Sequence, residues 1–187
     1  MEIKNTRIEG CFTIKPRVFE DERGYFFESF NQEKFEEVIQ KKIHFVQDNQ
    51  SFSSRGVLRG LHFQRGDYAQ AKLVRVLSGK VLDVAVDLRQ KSATYGNVIS
   101  ILLSEANNTQ IFIPRGCAHG FITLSENAIF SYKCDNYYNK DAESGLLYND
   151  DFFNIDWEIP EDEMIISEKD KLLPTFKELT ETTIFKS

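Results

Sequence analysis

Proline and cysteine are scarce in this chain, and no apolar run is long. Only four prolines occur among 187 residues, and residues 17–113 contain none, which suits internal strands because proline is excluded from central ones. Cys11, Cys117 and Cys134 are odd in number with no CxxC spacing, so we expect free thiols in a reducing compartment rather than a disulfide framework. No apolar run approaches the roughly 20 residues that span a bilayer, and the N-terminal residues MEIKNTRIEGCF resemble no signal peptide. We therefore expect a cytoplasmic protein that has no membrane partner.

Positive charge is also in deficit. Lysine and arginine total 23 against 29 aspartates and glutamates, a net charge of -6. This balance argues against a general affinity for nucleic acid, which needs a basic surface, but it leaves room for one small anionic ligand held by local cations. The chain has an ordinary 41% of hydrophobic residues and no visible linker, repeat or low-complexity tract. Its length suits a single domain over residues 1–187.

Short β-strands are the dominant pattern between residues 43 and 138. Runs of Val, Ile, Phe, Leu and Tyr are separated by turn-forming residues at 53–56, 77–80, 105–108 and 125–127. Strands at this spacing favour an antiparallel sandwich or barrel over alternating strands and helices. Asn31–Lys41 is the first helix candidate, with Phe35, Val38 and Ile39 at helical spacing, and a short helix or turn is expected after Pro160.

Two glycine-flanked segments, 56–64 and 113–121, resemble the two motifs of the cupin superfamily, a jelly-roll group that commonly binds metal. Here His62-Phe63-Gln64 lacks the second histidine of the usual His-x-His, and Lys72 stands where that motif carries its glutamate. A protonated lysine has no lone pair to offer a metal. His62 and His119 alone are too few ligands for a metal site. We therefore expect no metal.

Six segments occur in register and cover about residues 5–175, namely 47–51, 56–64, 72–76, 114–121, 132–138 and 167–170. Together they are similar to the dTDP-4-dehydrorhamnose 3,5-epimerase family. The resemblance implies an all-β, cupin-type double-stranded β-helix (jelly roll) with a few short peripheral helices. It implies an isomerase that converts a nucleotide-linked 4-keto-6-deoxy-D-glucose into the L-configured 4-keto sugar for rhamnose biosynthesis.

The implied chemistry needs a base, an acid on the opposite face and a group that holds an enolate oxygen. A C4 ketone acidifies the hydrogens on C3 and C5, and an imidazole titrates near neutral pH, so His62 suits the base. Asp170 matches the family's carboxylate partner of that histidine. Tyr132 matches the acid, and a phenol is a plausible donor if nearby cations lower its pKa. Lys72 matches a lysine beside the C4 oxygen, where its charge would stabilise the enolate.

Ligand-binding residues are implied by the same resemblance. Arginine binds phosphate oxygens bidentately, which favours Arg59 and Arg23 as pyrophosphate contacts. Tyr138 matches an aromatic residue that stacks on thymine. The remaining matched positions are Lys169, Gln47, Asn49, His119, Phe26, Glu28 and Glu143. In the family, the segment carrying Arg23 to Glu28 crosses to a partner subunit, so a homodimer with a shared site is expected, and such exchange also covers sheet edges.

Three rival interpretations remain at this stage. Relatives that invert only C3 or only C5 share the His–Asp pair; Tyr132 favours the double epimerase, while departures at Gln50, Phe63 and 139–142 leave the sugar and the number of inverted centres open. A non-catalytic sugar-nucleotide-binding cupin would have lost His62, Asp170 or Tyr132. A metal-dependent cupin is disfavoured by Lys72 and Gln64. Taken singly, Tyr132 is better explained as a core tyrosine with a satisfied hydroxyl, and Asp170, which lies in a charged run, could be a surface carboxylate.

Overall fold

The structure, a computed structural model, describes residues 2–181 and consists mainly of short strands joined by tight turns. The strands are β1 (Glu2–Asn5), β2 (Phe12–Lys15), β3 (Phe19–Asp21), β4 (Gly24–Phe26), β5 (Gln47–Ser54), β6 (Val57–Gln64), β7 (Lys72–Ser78), β8 (Lys80–Asp87), β9 (Val98–Ser104), β10 (Gln110–Ile113), β11 (Cys117–Thr123), β12 (Asn127–Cys134), β13 (Glu143–Gly145) and β14 (Ile165–Ile166). The α-helices are α1 (Gln32–Ile39), α2 (Glu168–Lys171) and α3 (Phe176–Glu181), and 3-10 turns lie at Gly66–Tyr68, Lys140–Ala142 and Glu161–Glu163.

Two facing sheets form the body of the molecule. The first sheet has the order β1-β2-β10-β7-β12-β5 and is antiparallel throughout. The second has the order β13-β6-β11-β8-β9, with β14 added parallel to β6. The non-sequential neighbours mark the crossovers of a jelly roll, which confirms the fold expected from the sequence. Strands β3 and β4 form a separate hairpin.

The hydrophobic core has three layers because both sheets are covered on their outer faces. The layer between the sheets contains Val74, Val81, Ile111 and Phe130. The C-terminal segment, including Trp157, packs on the outer face of the second sheet, and α1 packs on the outer face of the first. Strand β8 is consequently buried on both faces from Val81 to Asp87, and Val81–Val86 is apolar at every position except Asp83.

Helix α1 begins where the sequence pattern predicts. Asn31 is its N-cap, and the side chain accepts a hydrogen bond from the Lys34 backbone N–H. Phe35 is buried against Phe12 and Phe112 of the first sheet. The helix ends at Ile39, before Gln40 adopts a left-handed conformation. Within residues 2–181, no helix is long and apolar enough to cross a membrane.

Candidate active site

A cavity of about 700 Å³ opens between the two sheets at one end of the jelly roll. The alternation of each strand decides which side chains line it. On β7, Lys72 lies on the same face as the buried Val74, and on β12 Tyr132 lies on the same face as Phe130. The sequence-predicted residues that line it are His62, Tyr132, Asp170, Lys72, Asn49, Arg59, His119 and Lys169.

His62 and Asp170 form a close pair at this cavity, although 108 positions separate them in the chain. His62 Nε2 lies 2.7 Å from Asp170 Oδ1, and the Gly60 backbone N–H donates to Asp170 Oδ2 at 3.3 Å. The Ser167 hydroxyl accepts from the Asp170 N–H and caps α2, which fixes the carboxylate. Burial raises the pKa of Asp170, but the bonds from His62, Gly60 and Ser167 outweigh it and hold the pKa below its usual value. The charged carboxylate therefore accepts a hydrogen bond from Nε2–H of His62, so in the neutral imidazole the lone pair lies on Nδ1.

Two glycines let the strands that carry the histidines approach each other closely. A Cβ on Gly60 would lie 2.6 Å from Gly120 Cα, and a Cβ on Gly120 would lie 2.6 Å from the Arg59 carbonyl oxygen. Neither position has room for a larger residue. A register irregularity follows at this point of the β6–β11 pair, and His62 and His119 become direct cross-strand partners.

His119 belongs to a second histidine–carboxylate pair, deeper in the cavity. Its Nε2 lies 2.9 Å from Asp83 Oδ2, and its Nδ1 lies 3.5 Å from Lys72 Nζ. Burial lowers the pKa of His119 despite Asp83, so the neutral ring donates from Nε2 and accepts from lysine at Nδ1. The structure thus places His119 in β11, against the side chain of Lys72.

Lys72 and Tyr132 lie together on neighbouring strands. The Lys72 ammonium is 5.7 Å from the centre of the Tyr132 ring, a cation–π arrangement. Burial lowers the pKa of Lys72 and raises the pKa of Tyr132 to about 12. The expected lowering of the tyrosine pKa by cations is therefore wrong, because desolvation of the phenolate outweighs the charge of Arg59. The phenol remains protonated throughout the neutral pH range.

Arg59 and the polar side chains of β5 extend the site. Arg59 Nε donates to the Ser53 hydroxyl at 3.1 Å and Nη2 donates to the Phe52 carbonyl at 3.4 Å, which leaves three of the five guanidinium donors for a ligand. Gln47 Nε2 donates to Asn49 Oδ1 at 3.0 Å, and Gln47 Oε1 accepts from the Tyr138 backbone N–H at 3.0 Å. Gln47 thereby connects β5 to the segment that carries Tyr138.

Tyr138, Glu143 and Lys169 form a hydrogen-bonded cluster. Glu143 Oε2 accepts from the Tyr138 hydroxyl at 2.9 Å and from the Lys169 ammonium at 2.6 Å. Lys169 is one residue from Asp170 and lines the cavity. Glu143 is paired with Gln64 across β13 and β6, two residues along β6 from His62. The cluster therefore borders the cavity.

The structure does not bring Arg23, Phe26 and Glu28 to the cavity of their own chain. Arg23 forms an ion pair with Asp21 at 2.5 Å, and Glu28 pairs with Lys34 at 2.8 Å. Phe26 is 70% exposed in the β3–β4 hairpin. Within one chain these three residues do not complete the site.

Asp83 is a residue of the site that the sequence patterns did not indicate. Its side chain is fully buried and holds His119, yet no motif pointed to it. A signal was present, since Asp83 is the one charged residue in the apolar run Val81–Val86, and an unpaired carboxylate at such a position is costly. Phe121 and Phe130 also line the cavity, with their ring centroids 3.9 Å apart, and no sequence motif pointed to their role there. Over residues 2–181, no group of three or more His, Cys, Asp or Glu side chains is arranged to hold a metal ion.

Comparison with known proteins gives one consistent family. A family model described as dTDP-4-dehydrorhamnose 3,5-epimerase matches residues 5–178. The chain is 50% identical to the dTDP-4-dehydrorhamnose 3,5-epimerase of Escherichia coli K12 over 180 residues, 96% of each chain. It is similar to the crystal structure of that enzyme from Elizabethkingia anophelis NUHP1, with a TM-score of 0.92, 56% identity, and coverage of 95% and 97% of the two chains.

A further solved structure contains a sugar nucleotide. It is the dTDP-6-deoxy-D-glucose-3,5-epimerase of Legionella pneumophila Philadelphia 1, in complex with dTDP-4-keto-L-rhamnose. The similarity has a TM-score of 0.90 at 44% identity, and it covers 94% of this chain and 93% of the other.

Proposed function

The chain belongs to the dTDP-4-dehydrorhamnose 3,5-epimerase family, and we propose from that premise that it epimerises C3 and C5 of dTDP-4-dehydro-6-deoxy-D-glucose. The product is dTDP-4-dehydro-L-rhamnose, in the biosynthesis of dTDP-L-rhamnose. The protein is accordingly an isomerase, and the family resemblance drawn from its motifs is confirmed. The observation that carries the assignment of the site is the 2.7 Å pair between His62 and Asp170, beside Lys72 and Tyr132 in one cavity.

His62 is the general base in the proposed reaction. Its Nδ1 lone pair takes the proton from C3 or C5, and the electron pair of the C–H bond becomes the C4 enolate. Asp170 Oδ1 accepts a hydrogen bond from Nε2–H of His62 at 2.7 Å, so it fixes the orientation of the ring and stabilises the imidazolium that forms. The lowered pKa of Asp170 supports this role, because the carboxylate stays charged while the ring gains its proton.

Lys72 and Tyr132 complete each epimerisation. The lysine ammonium stabilises the enolate oxygen, and its contact with Nδ1 of His119 restricts its position. Tyr132 then donates its phenolic proton to the opposite face of the carbon. Solvent takes the proton from His62 and returns one to the phenolate, so the cycle can repeat at the second carbon without a cofactor or a net redox change.

The nucleotide half of the substrate meets the basic and aromatic residues around the cavity. Arg59 and Lys169 supply charge for the pyrophosphate, and Tyr138 supplies a ring that is 51% exposed for stacking on the base. Gln47 and Asn49 supply amide groups for polar edges of the ligand. These assignments rest on family positions together with the placement of the side chains around the site.

A homodimer with exchanged hairpins is part of the proposal. Arg23, Phe26 and Glu28 lie outside the cavity of their own chain, and the hairpin exposes Phe19, Tyr25 and Phe26. A second copy that received this hairpin would gain a phosphate-binding arginine and cover three exposed aromatic side chains.

A cytoplasmic location also belongs to the proposal, and the free, buried Cys11, Cys117 and Cys134 support it.

Product analysis separates the double epimerase from its rivals. Purified protein incubated with dTDP-4-dehydro-6-deoxy-D-glucose and an NADPH-dependent 4-keto reductase should yield dTDP-L-rhamnose, identified by chromatography and NMR. A sugar inverted at one carbon would establish a mono-epimerase instead. Tight dTDP binding without any product would establish the non-catalytic alternative.

A further inference from the structure

One glutamate joins two separate segments beside the active-site cavity. Glu143 Oε2 accepts hydrogen bonds from the Tyr138 hydroxyl and the Lys169 ammonium, at 2.9 and 2.6 Å. Tyr138 follows β12, whereas Lys169 lies in α2 beside Asp170. The carboxylate therefore links the segment after β12 to the helix that holds the partner of His62.

The three side chains differ in how firmly they are held. Glu143 lies in β13, which is hydrogen-bonded to β6, and its side chain is 20% exposed. The Lys169 side chain is 63% exposed, and Tyr138 is 51% exposed. Exposed ion pairs contribute little to folding stability. The greater effect of the carboxylate is to restrict the positions of two exposed side chains.

We propose that Glu143 is a positioning residue that holds the Tyr138 ring and the Lys169 ammonium together, so that both meet the nucleotide part of the substrate as one preformed unit. The inference rests on the proposed function, in which Tyr138 stacks on the thymine base and Lys169 contacts a phosphate. Fixing two side chains before binding lowers the entropic cost of ordering them in the complex.

The hydrogen-bonding capacity of each group fits this role. An ammonium has three donors, so the bond to Glu143 leaves two for phosphate oxygens. A stacked phenol presents its ring face to the base, and its hydroxyl can stay on Glu143. The hydrogen bond to Glu143 raises the pKa of both Tyr138 and Lys169. Burial opposes ionisation of Glu143, but its two partners lower its pKa, so the bonded protonation states persist at neutral pH.

Tyr138→Phe is the discriminating variant, because it keeps the ring and removes only the hydroxyl. If Tyr138 acted by stacking alone, the Kd for dTDP would be unchanged. The positioning role predicts a Kd raised about threefold to tenfold, with KM raised similarly and kcat within about twofold, because this range corresponds to the usual entropic cost of ordering one side chain on binding. Tyr137→Phe is the matched control, because this neighbouring tyrosine is exposed and its hydroxyl has no partner among residues 2–181.

Glu143 variants complete the test by isothermal titration calorimetry with dTDP and steady-state kinetics. Glu143→Ala should raise the Kd at least as much as Tyr138→Phe. Glu143→Gln should be intermediate, since its amide oxygen still accepts from the hydroxyl. The Tyr138→Phe/Glu143→Ala double variant should bind like Glu143→Ala alone, because both changes break one contact.

The possible results separate this inference from the proposed function. Wild-type protein that binds no dTDP would refute the proposed function itself. Wild-type binding and turnover, with Tyr138→Phe and Glu143→Ala unchanged or with additive losses, would overturn the positioning role alone. A fall in kcat or in melting temperature that accounts for the weaker binding would make Glu143 a structural residue, and it would overturn the role as well.

Discussion

At the scale of single residues, the sequence identified the chemical groups of the site but not their environments. His62, Asp170, Lys72 and Tyr132 were recognised from local motifs, and the structure brings them to one cavity. The pKa of Tyr132 could not be inferred, because it depends on burial produced by strands far apart in the chain. Asp83 was missed for a related reason, since its partner His119 lies 36 positions away.

Removing the imidazole of His62 tests the base directly. His62→Ala should abolish solvent exchange at both C3 and C5, whereas dTDP binding should stay within about threefold, because Arg59, Lys169 and Tyr138 remain. His44→Ala is the control, since His44 is exposed and does not line the cavity. Equal exchange in His62→Ala and wild type, followed by NMR, would exclude His62 as the base.

Removing the hydroxyl of Tyr132 separates the two halves of the reaction. Tyr132→Phe should lower the rate of L-sugar formation by about 10²-fold or more, the usual contribution of a general acid. Proton abstraction by His62 should be affected much less, so deuterium exchange should persist with return to the D-configured substrate. Product formation at the wild-type rate would show that another group supplies the proton.

At the scale of elements, patterns of local origin were predictable and long-range pairings were not. The helix at α1 follows from its N-cap and the apolar spacing around Phe35. Strand β14 contains only two residues, and its parallel pairing with β6 joins segments more than 100 positions apart, which no local pattern encodes. The doubly buried β8 departs from alternation because the C-terminal segment covers the outer face of its sheet.

The loop between β8 and β9 provides a pH-dependent test of stability. Asp87 is fully buried and accepts hydrogen bonds from Arg89, Ser92 and Thr94. Burial opposes its ionisation, but these bonds lower the pKa of Asp87 to about 2. Because the folded pKa lies below the unfolded value of about 3.9, the charge contributes about 2 kcal/mol above pH 4, which is lost as the pH falls towards 2.

The variant Asp87→Asn should therefore lower the free energy of unfolding at pH 7 by about 2–4 kcal/mol. In urea titrations, the difference in the free energy of unfolding between the variant and the wild type should become smaller from pH 4 to pH 2, since wild-type Asp87 becomes protonated in this range. Because Asp87 does not line the cavity, kcat should be unchanged. A difference that stays constant down to pH 2 would contradict the ion-pair account.

At the scale of the whole molecule, the sequence predicted the jelly roll, but it did not show which of the matched residues lie in the cavity of their own chain. Strand spacing suggested a sandwich or barrel, and the family motifs narrowed that to a jelly roll. Arg23, Phe26 and Glu28 match the family pattern but do not reach the cavity of their own chain. A second subunit is the physical arrangement that would reconcile these two facts.

Subunit complementation tests the shared site. Arg23→Ala and His62→Ala homodimers should each be nearly inactive at low substrate concentration. After subunit exchange, half of the dimers should be mixed, each with one intact site, so activity should recover to about a quarter of wild type. Recovery should follow heterodimer content measured by two affinity tags. No recovery in verified heterodimers would place Arg23 in the site of its own chain.

His62 and Tyr132 should together invert both C3 and C5 through an enolate. Proton NMR in D₂O with dTDP-4-dehydro-6-deoxy-D-glucose measures it most directly. We expect deuterium at both carbons in the wild type, together with an L-configured product that a reductase traps. Deuterium at only one carbon would contradict the double epimerisation, and the absence of exchange at either carbon would contradict the enolate mechanism.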